Sequence, residues 1–143
     1  MNSEKITSEI SASLVLRGIA IILMIIPVFY TAAYAATIPQ YKRTLVYIVL
    51  AVLAEVLTVV FAQKSWSDYI HVAGSALMAF AFASFANGGV LSVADYVAGI
   101  NLFGDASQVP AIMTYGVMLL CGEILSIIDC FICKDVPVGT GAK

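Results

Sequence analysis

The chain has 143 residues, of which 62% are apolar and only 11% charged, with a formal net charge of −2. A soluble domain is about half apolar and about a quarter charged, so this composition excludes an ordinary water-soluble fold and reads as an integral membrane protein. The small net charge and the lack of any basic cluster exclude a nucleic-acid partner.

A membrane-crossing helix needs about 20 mostly apolar residues. Four stretches qualify, at 14–36, 44–62, 69–86 and 109–133. They predict a single all-α membrane domain over 1–143, a four-transmembrane-helix bundle. The first follows a Ser- and Glu-rich tail. It reads as a retained span rather than a cleaved signal, because its apolar run exceeds a signal core and the tail carries Glu4 and Glu9 against Lys5. Pro27 lies inside it, where a missing N–H frees a carbonyl and favours a kink. Tyr30, Tyr34 and Tyr41 mark the far ends of the first two spans as interfacial aromatics, and Trp66 and Tyr69 mark the opposite interface.

On the second span, Tyr47, Ala51, Glu55, Thr58 and Ala62 recur at three- or four-residue spacing and form one small or polar stripe. On the third, His71, Ser75, Ala79 and Ala83 form another. Small residues let helices approach closely in lipid, so both stripes predict buried faces. The third connection, 87–108, is too apolar for a plain tether. Ser92 and Asp95 have the spacing of a capping box, and Leu91 and Tyr96 that of a hydrophobic staple. They predict a short amphipathic helix at 93–101, its apolar face formed by Val93, Tyr96, Val97 and Ile100, lying at the membrane interface. The fourth span carries Gly122, Ser126 and Cys130 as its small-residue stripe, with Glu123 beside it and Asp129 a turn from its end.

Lys and Arg set orientation in a membrane. One side holds Lys5, Arg17, Lys64, Lys134 and Lys143, the other Lys42 and Arg43, so both termini are expected in the cytoplasm and the protein in the plasma (cytoplasmic) membrane. The second and fourth spans then run the same way. Arg17, Glu55, His71, Glu123 and Asp129 all fall in the inner half, with Glu55 and Glu123 at depths of roughly 10 and 15 Å. An acidic side chain at a helix centre costs about 2.5–3.5 kcal/mol on insertion scales, so these residues form a functional candidate. No spacing of His, Cys, Asp and Glu supports a metal, and no cofactor is expected.

Cys130 and Cys133 have CxxC spacing, which is similar to that of vitamin K epoxide reductase-like proteins. That resemblance implies a quinone-linked thiol oxidoreductase in a four-helix bundle. The chain departs from it: there is no second cysteine pair to relay electrons, and this pair falls at the cytoplasmic end, where thiols stay reduced. The early-span glutamate motif of small multidrug exporters and the Glu-Arg pattern of glutathione-linked membrane enzymes are also missing.

The leading expectation is a small non-enzymatic channel or transporter for ions or small solutes, working through the intramembrane carboxylates. Four spans bury little surface, so a homo-oligomer or a larger membrane complex in the lipid bilayer is expected. The alternative is a non-catalytic structural or accessory subunit. A thiol-redox or lipid-modifying enzyme ranks third, because no nucleophile, base and orienting group occur together.

Overall fold

The computed structural model describes residues 3–61 and 66–132, with side chains described from residue 12 onward. Lys64, Lys134 and Lys143 of the orientation count, Ala62 of the second-span stripe and Cys133 of the CxxC pair lie outside the described residues, as do the side chains of Glu4, Lys5 and Glu9. Four long helices follow in chain order: α1 (Ser3–Tyr34), α2 (Pro39–Val60), α3 (Ser67–Ala98) and α4 (Val109–Ile132). A single 3-10 turn, Ala106–Gln108, leads into α4. There is no strand among the described residues.

All four helices are long and apolar enough to cross a membrane. Large aliphatic and aromatic side chains such as Ile22, Phe29, Leu53, Val72, Phe80 and Phe131 face outward. Such a surface suggests a membrane-embedded protein.

Each helix packs on its two neighbours in a square ring: α1 on α2 and α4, α3 on α2 and α4, and across the diagonals only side chains meet, not backbones. Successive helices run antiparallel. One end of the bundle therefore carries the start of α1 and the finish of α4 (the tail end). The other carries the connection between α3 and α4 (the cap end).

Local chemistry sets the boundaries. Pro39 opens α2, where its missing N–H would have been unpaired anyway. α1 runs through Pro27 without a break, and the Thr31 hydroxyl donates to the Pro27 carbonyl at 2.9 Å. Gly99 ends α3 in the left-handed conformation, φ 66°, and its N–H returns to the Asp95 and Tyr96 carbonyls. Gln40 and Tyr41 of α2 meet α3 at Gly88, and Ile112 of α4 meets it at Gly89. A Cβ at either glycine would overlap those side chains, so the glycine pair is what lets α3 seat against both neighbours.

That seating overturns two expectations. The segment 93–101 is not a separate interfacial helix: α3 continues through 87–92 to Ala98, 32 residues or about 48 Å. The Asn-Gly-Gly stretch that reads as a break is helix, because packing against Tyr41 and Ile112 outweighs the weak helix propensity of glycine. Ser92 and Asp95 do not cap a new helix. They sit buried in the last turns of α3 and tie down the following connection: Asp95 Oδ2 accepts the N–H groups of Leu102, Phe103 and Gly104 at 2.8 Å each, and Ser92 Oγ accepts that of Asp105 at 3.1 Å. The spacing was right for capping, but the orphan N–H groups it satisfies belong to the loop.

The second correction concerns the tyrosines. Tyr41 is fully buried and stacks on Phe85 with ring centroids 5.2 Å apart, and Tyr30 packs against Tyr34, Tyr41, Phe85 and Tyr115. These rings are the core of the cap half, where small residues on α3 leave space, rather than a belt at the interface. Trp66 stays partly exposed against Phe61 at the tail end.

Candidate functional site

Four of the five predicted ionisable residues meet in one cluster, and every helix supplies one. Arg17 comes from α1, Glu55 from α2, His71 from α3 and Asp129 from α4, and none is more than 6% exposed. Glu55, His71 and Asp129 lie five, four and three residues from the tail-end limits of their helices. The cluster is thus about 5–8 Å inside the apolar slab.

The connections form an end-to-end array. Arg17 Nε donates to Asp129 Oδ2 at 2.5 Å. His71 Nε2 lies 3.0 Å from the same oxygen, out of line for a well-formed N–H bond. His71 Nδ1 is 2.9 Å from Glu55 Oε2. The other oxygen of Glu55, Oε1, accepts from the Ser126 hydroxyl at 3.0 Å, and Ser126 is 2.6 Å from Ser75. Ser75 also lies 3.5 Å from the Cys130 sulfur. Ser13 adds a side-chain hydrogen bond to Asp129.

Helical spacing explains the convergence. His71 and Ser75 are four apart on α3, Ser126 and Asp129 three apart on α4, and each pair shares a face. Gly74 admits Glu55 between them: a Cβ there would sit 3.3 Å from Glu55 Oε1. Thr58 donates to the Glu55 carbonyl at 2.7 Å and Ser67 to the Thr58 carbonyl at 3.3 Å, so the polar stripe continues toward the tail end.

The charge arithmetic is constrained. Arg17 stays cationic. With one exchangeable proton among Glu55, His71 and Asp129, the array is neutral. That state is either an imidazolium between two carboxylates or a neutral imidazole beside one protonated acid. Removing the proton leaves a buried net charge of one sign and adding a second leaves the other, and each is expensive in a medium of low dielectric constant. A neutral array of these four groups therefore holds one exchangeable proton. Its members run in a line rather than around a point, and among the described residues no group of three His, Cys, Asp or Glu side chains is arranged to hold a metal ion.

Glu123 does not join the array. It is half-buried, nine residues from the end of α4, and makes no hydrogen bond or ion pair among the described residues. Asp129, six residues on, is the α4 acid that faces His71 and Arg17. Of the residues expected to pack helices together, Ala51, Ser75, Gly122 and Ser126 are buried, Ala79 is half-buried and Ala83 is exposed. Ser75 and Ser126 are more than small residues, since both hydrogen-bond within the array. Ser13 was not anticipated, though it lies four residues before Arg17 on the same face of α1. Cys121 and Cys130 are free thiols, one exposed and one half-buried.

Toward the cap end, α3 and α4 border an open groove of about 700 Å³. Phe82, Phe85, Val90 and Val93 line one wall, and Ile112, Gly116, Val117 and Leu120 the other. Every lining residue is apolar, and the groove opens away from the bundle axis.

Comparison with known protein families, with curated proteins and with solved structures finds no match to this chain.

Proposed function

We propose that the chain is a proton-linked membrane carrier for an ion or small solute, with the Arg17–Asp129–His71–Glu55 array as its titrating element. The observation that supports this reading is the His71 imidazole seated between two fully buried carboxylates, Nδ1 2.9 Å from Glu55 and Nε2 3.0 Å from Asp129. Ionisable groups in a membrane interior are costly and usually mark a proton or ion path. An array built from all four helices also couples the proton to helix packing: changing its charge disturbs every seam of the bundle at once. In this reading the tail end faces the cytoplasm, and protons reach Asp129 and Glu55 from that side through the Ser67–Thr58 stripe. The tight pairing of Arg17 with Asp129 favours an occluded carrier over an open pore through one bundle.

The second reading is a structural or accessory subunit, favoured by the same pairing, since a neutral array with no exposure also serves as polar glue between helices.

Reconstitution into vesicles containing a pH-sensitive dye separates the two. The carrier reading expects proton flux in the parent under an imposed gradient, lost in Glu55→Gln and Asp129→Asn variants that keep their helix content and oligomeric size. A parent that moves no protons under any ion or solute gradient, with both variants losing only thermal stability, supports the structural subunit and refutes the carrier.

A further inference from the structure

We infer that the groove between α3 and α4, together with Glu123 at its foot, is a binding site for a hydrophobic monovalent cation, a quaternary onium or an amine carrying apolar rings. The inference stands apart from the proton array and concerns a different acid.

The register of α4 joins the two features. Ile112, Gly116, Leu120 and Glu123 follow one another at steps of four, four and three residues, so they lie along one stripe of the helix. Ile112, Gly116 and Leu120 line the groove. Glu123 is not one of its lining residues but follows on the same stripe, about one turn from Leu120 toward the tail end. Farther along, Ser126 and Cys130 on the same side of α4 touch Ser75 of α3, so the seam is closed below Glu123. The groove is open above it, because Gly116 contributes no side chain.

Glu123 lies about 13 Å from the tail-end limit of α4, near the middle of an apolar slab of about 33 Å spanned by α2. It makes no hydrogen bond or ion pair among the described residues, unlike Glu55 and Asp129, which are both paired. A lone carboxyl at that depth calls for a neutralising partner. The groove volume falls within the range of about 300–1,000 Å³ typical of small-molecule pockets, which combine apolar walls with a few placed polar groups. Phe82 on the α3 wall adds an aromatic ring, whose face attracts cations. Charge complementarity selects a cation, the walls select a hydrophobic one, and the lateral opening gives it entry from lipid.

The test is equilibrium binding of radiolabelled tetraphenylphosphonium to the purified full chain in detergent. Saturable binding is expected in the parent, with tenfold or greater loss in Glu123→Gln and in Gly116→Leu, which fills the groove. Gly116 is a suitable site because a Cβ there meets only the Phe85 ring, at ordinary contact distance of 3.6 Å. Neither variant should lower the parent's unfolding temperature, and Leu53→Gln, exposed on α2 away from the groove, should bind like the parent. The inference is overturned if the parent shows no saturable binding, or if Glu123→Gln binds as tightly as the parent. Equal affinity for uncharged triphenylphosphine would likewise refute charge recognition. Loss of an oligomer in Gly116→Leu without any phosphonium binding by the parent would assign the groove to a second copy of the chain instead. Loss of proton flux in the Glu55 and Asp129 variants bears only on the array, so the two readings fail separately.

Discussion

Replacing Gly88 by alanine tests the close seam between α2 and α3, and Gly18 supplies its internal control. Both lie inside helices, where exchanging glycine for alanine favours the helix by about 1 kcal/mol. Nothing lies within 4 Å of a Cβ built at Gly18, so Gly18→Ala should stabilise by up to about 1 kcal/mol. At Gly88 the new methyl falls inside the van der Waals envelope of the Tyr41 ring and 3.3 Å from Gln40 Cβ. Tyr41 has no room to retreat. It is fully buried and lies against Phe85, with ring planes 9° from parallel. Overpacking of this kind costs about 1–3 kcal/mol, which outweighs the helix gain. The two variants should therefore differ by about 1–3 kcal/mol, with opposite signs relative to the parent. Thermal or denaturant unfolding followed by circular dichroism in one detergent measures it. Tyr41→Phe should not rescue Gly88→Ala, because the overlap is with ring carbons, whereas Tyr41→Leu should recover part of the loss. A Gly88→Ala variant as stable as Gly18→Ala would show that the seam is not this tight and would remove the reason α3 runs unbroken past 88.

Two further outcomes follow from the charged groups. Arg17→Met strands Asp129 beside His71 and should destabilise by about 3–5 kcal/mol, while Arg17→Met with Asp129→Asn should recover much of that loss; additive losses in a double-mutant cycle would mean the pair is not coupled. At the cap end, hydrogen bonds from the Ser107 hydroxyl, the Gln108 amide and the Ser107 N–H hold the Asp105 carboxyl below its usual range. Its folded value being the lower one, the turn keeps its full stabilisation above the ordinary carboxylate value of about 3.9 and loses it as pH falls through the folded value. Amide exchange at Ser107 should accelerate, beyond its intrinsic pH dependence, only in that acid window and not in Asp105→Asn; loss of protection near neutral pH would contradict the assignment.

Much of the bundle is legible in the sequence because a membrane-crossing helix announces itself by length and composition. The clustering of Arg17, Glu55, His71 and Asp129 is legible for a related reason: each is polar where its neighbours are apolar, and antiparallel helices bring those positions to one end. The behaviour of 87–101 is not legible, since Asn-Gly-Gly has the local chemistry of a break. What keeps it helical is Tyr41 and Ile112, far away in sequence and on different helices. Ser92 and Asp95 were recognisable as capping residues, yet which backbone groups they cap depends on a loop folding back over them. The inward placement of Tyr30 and Tyr41 has the same origin. Tyrosine near a span end suits an interface, and only the glycine opposite reveals room for it inside.

The two deep acids of the sequence part company through helical register alone. Glu55 enters a gap kept open by Gly74 and finds His71 and Ser126 waiting. Asp129 lies about 20° from Gly122 on the wheel of α4, within the face turned toward α1 and the bundle axis, where Arg17 and His71 reach it. Glu123 is turned about 100° from Gly122, onto the edge of the α3 seam, where no described residue pairs with it. Depth in the membrane alone would treat Glu55 and Glu123 as a pair. Register instead makes Asp129 the partner of the array and leaves Glu123 at the foot of an apolar groove. A carboxylate already neutralised by an arginine has little affinity left for an outside cation, whereas one that no described residue pairs keeps more of it. The proton array and the cation groove therefore make independent demands on the same bundle. Glu123→Gln should abolish phosphonium binding while leaving the array's contribution to stability unchanged, and a variant that loses both would mean the two acids are coupled through α4 after all.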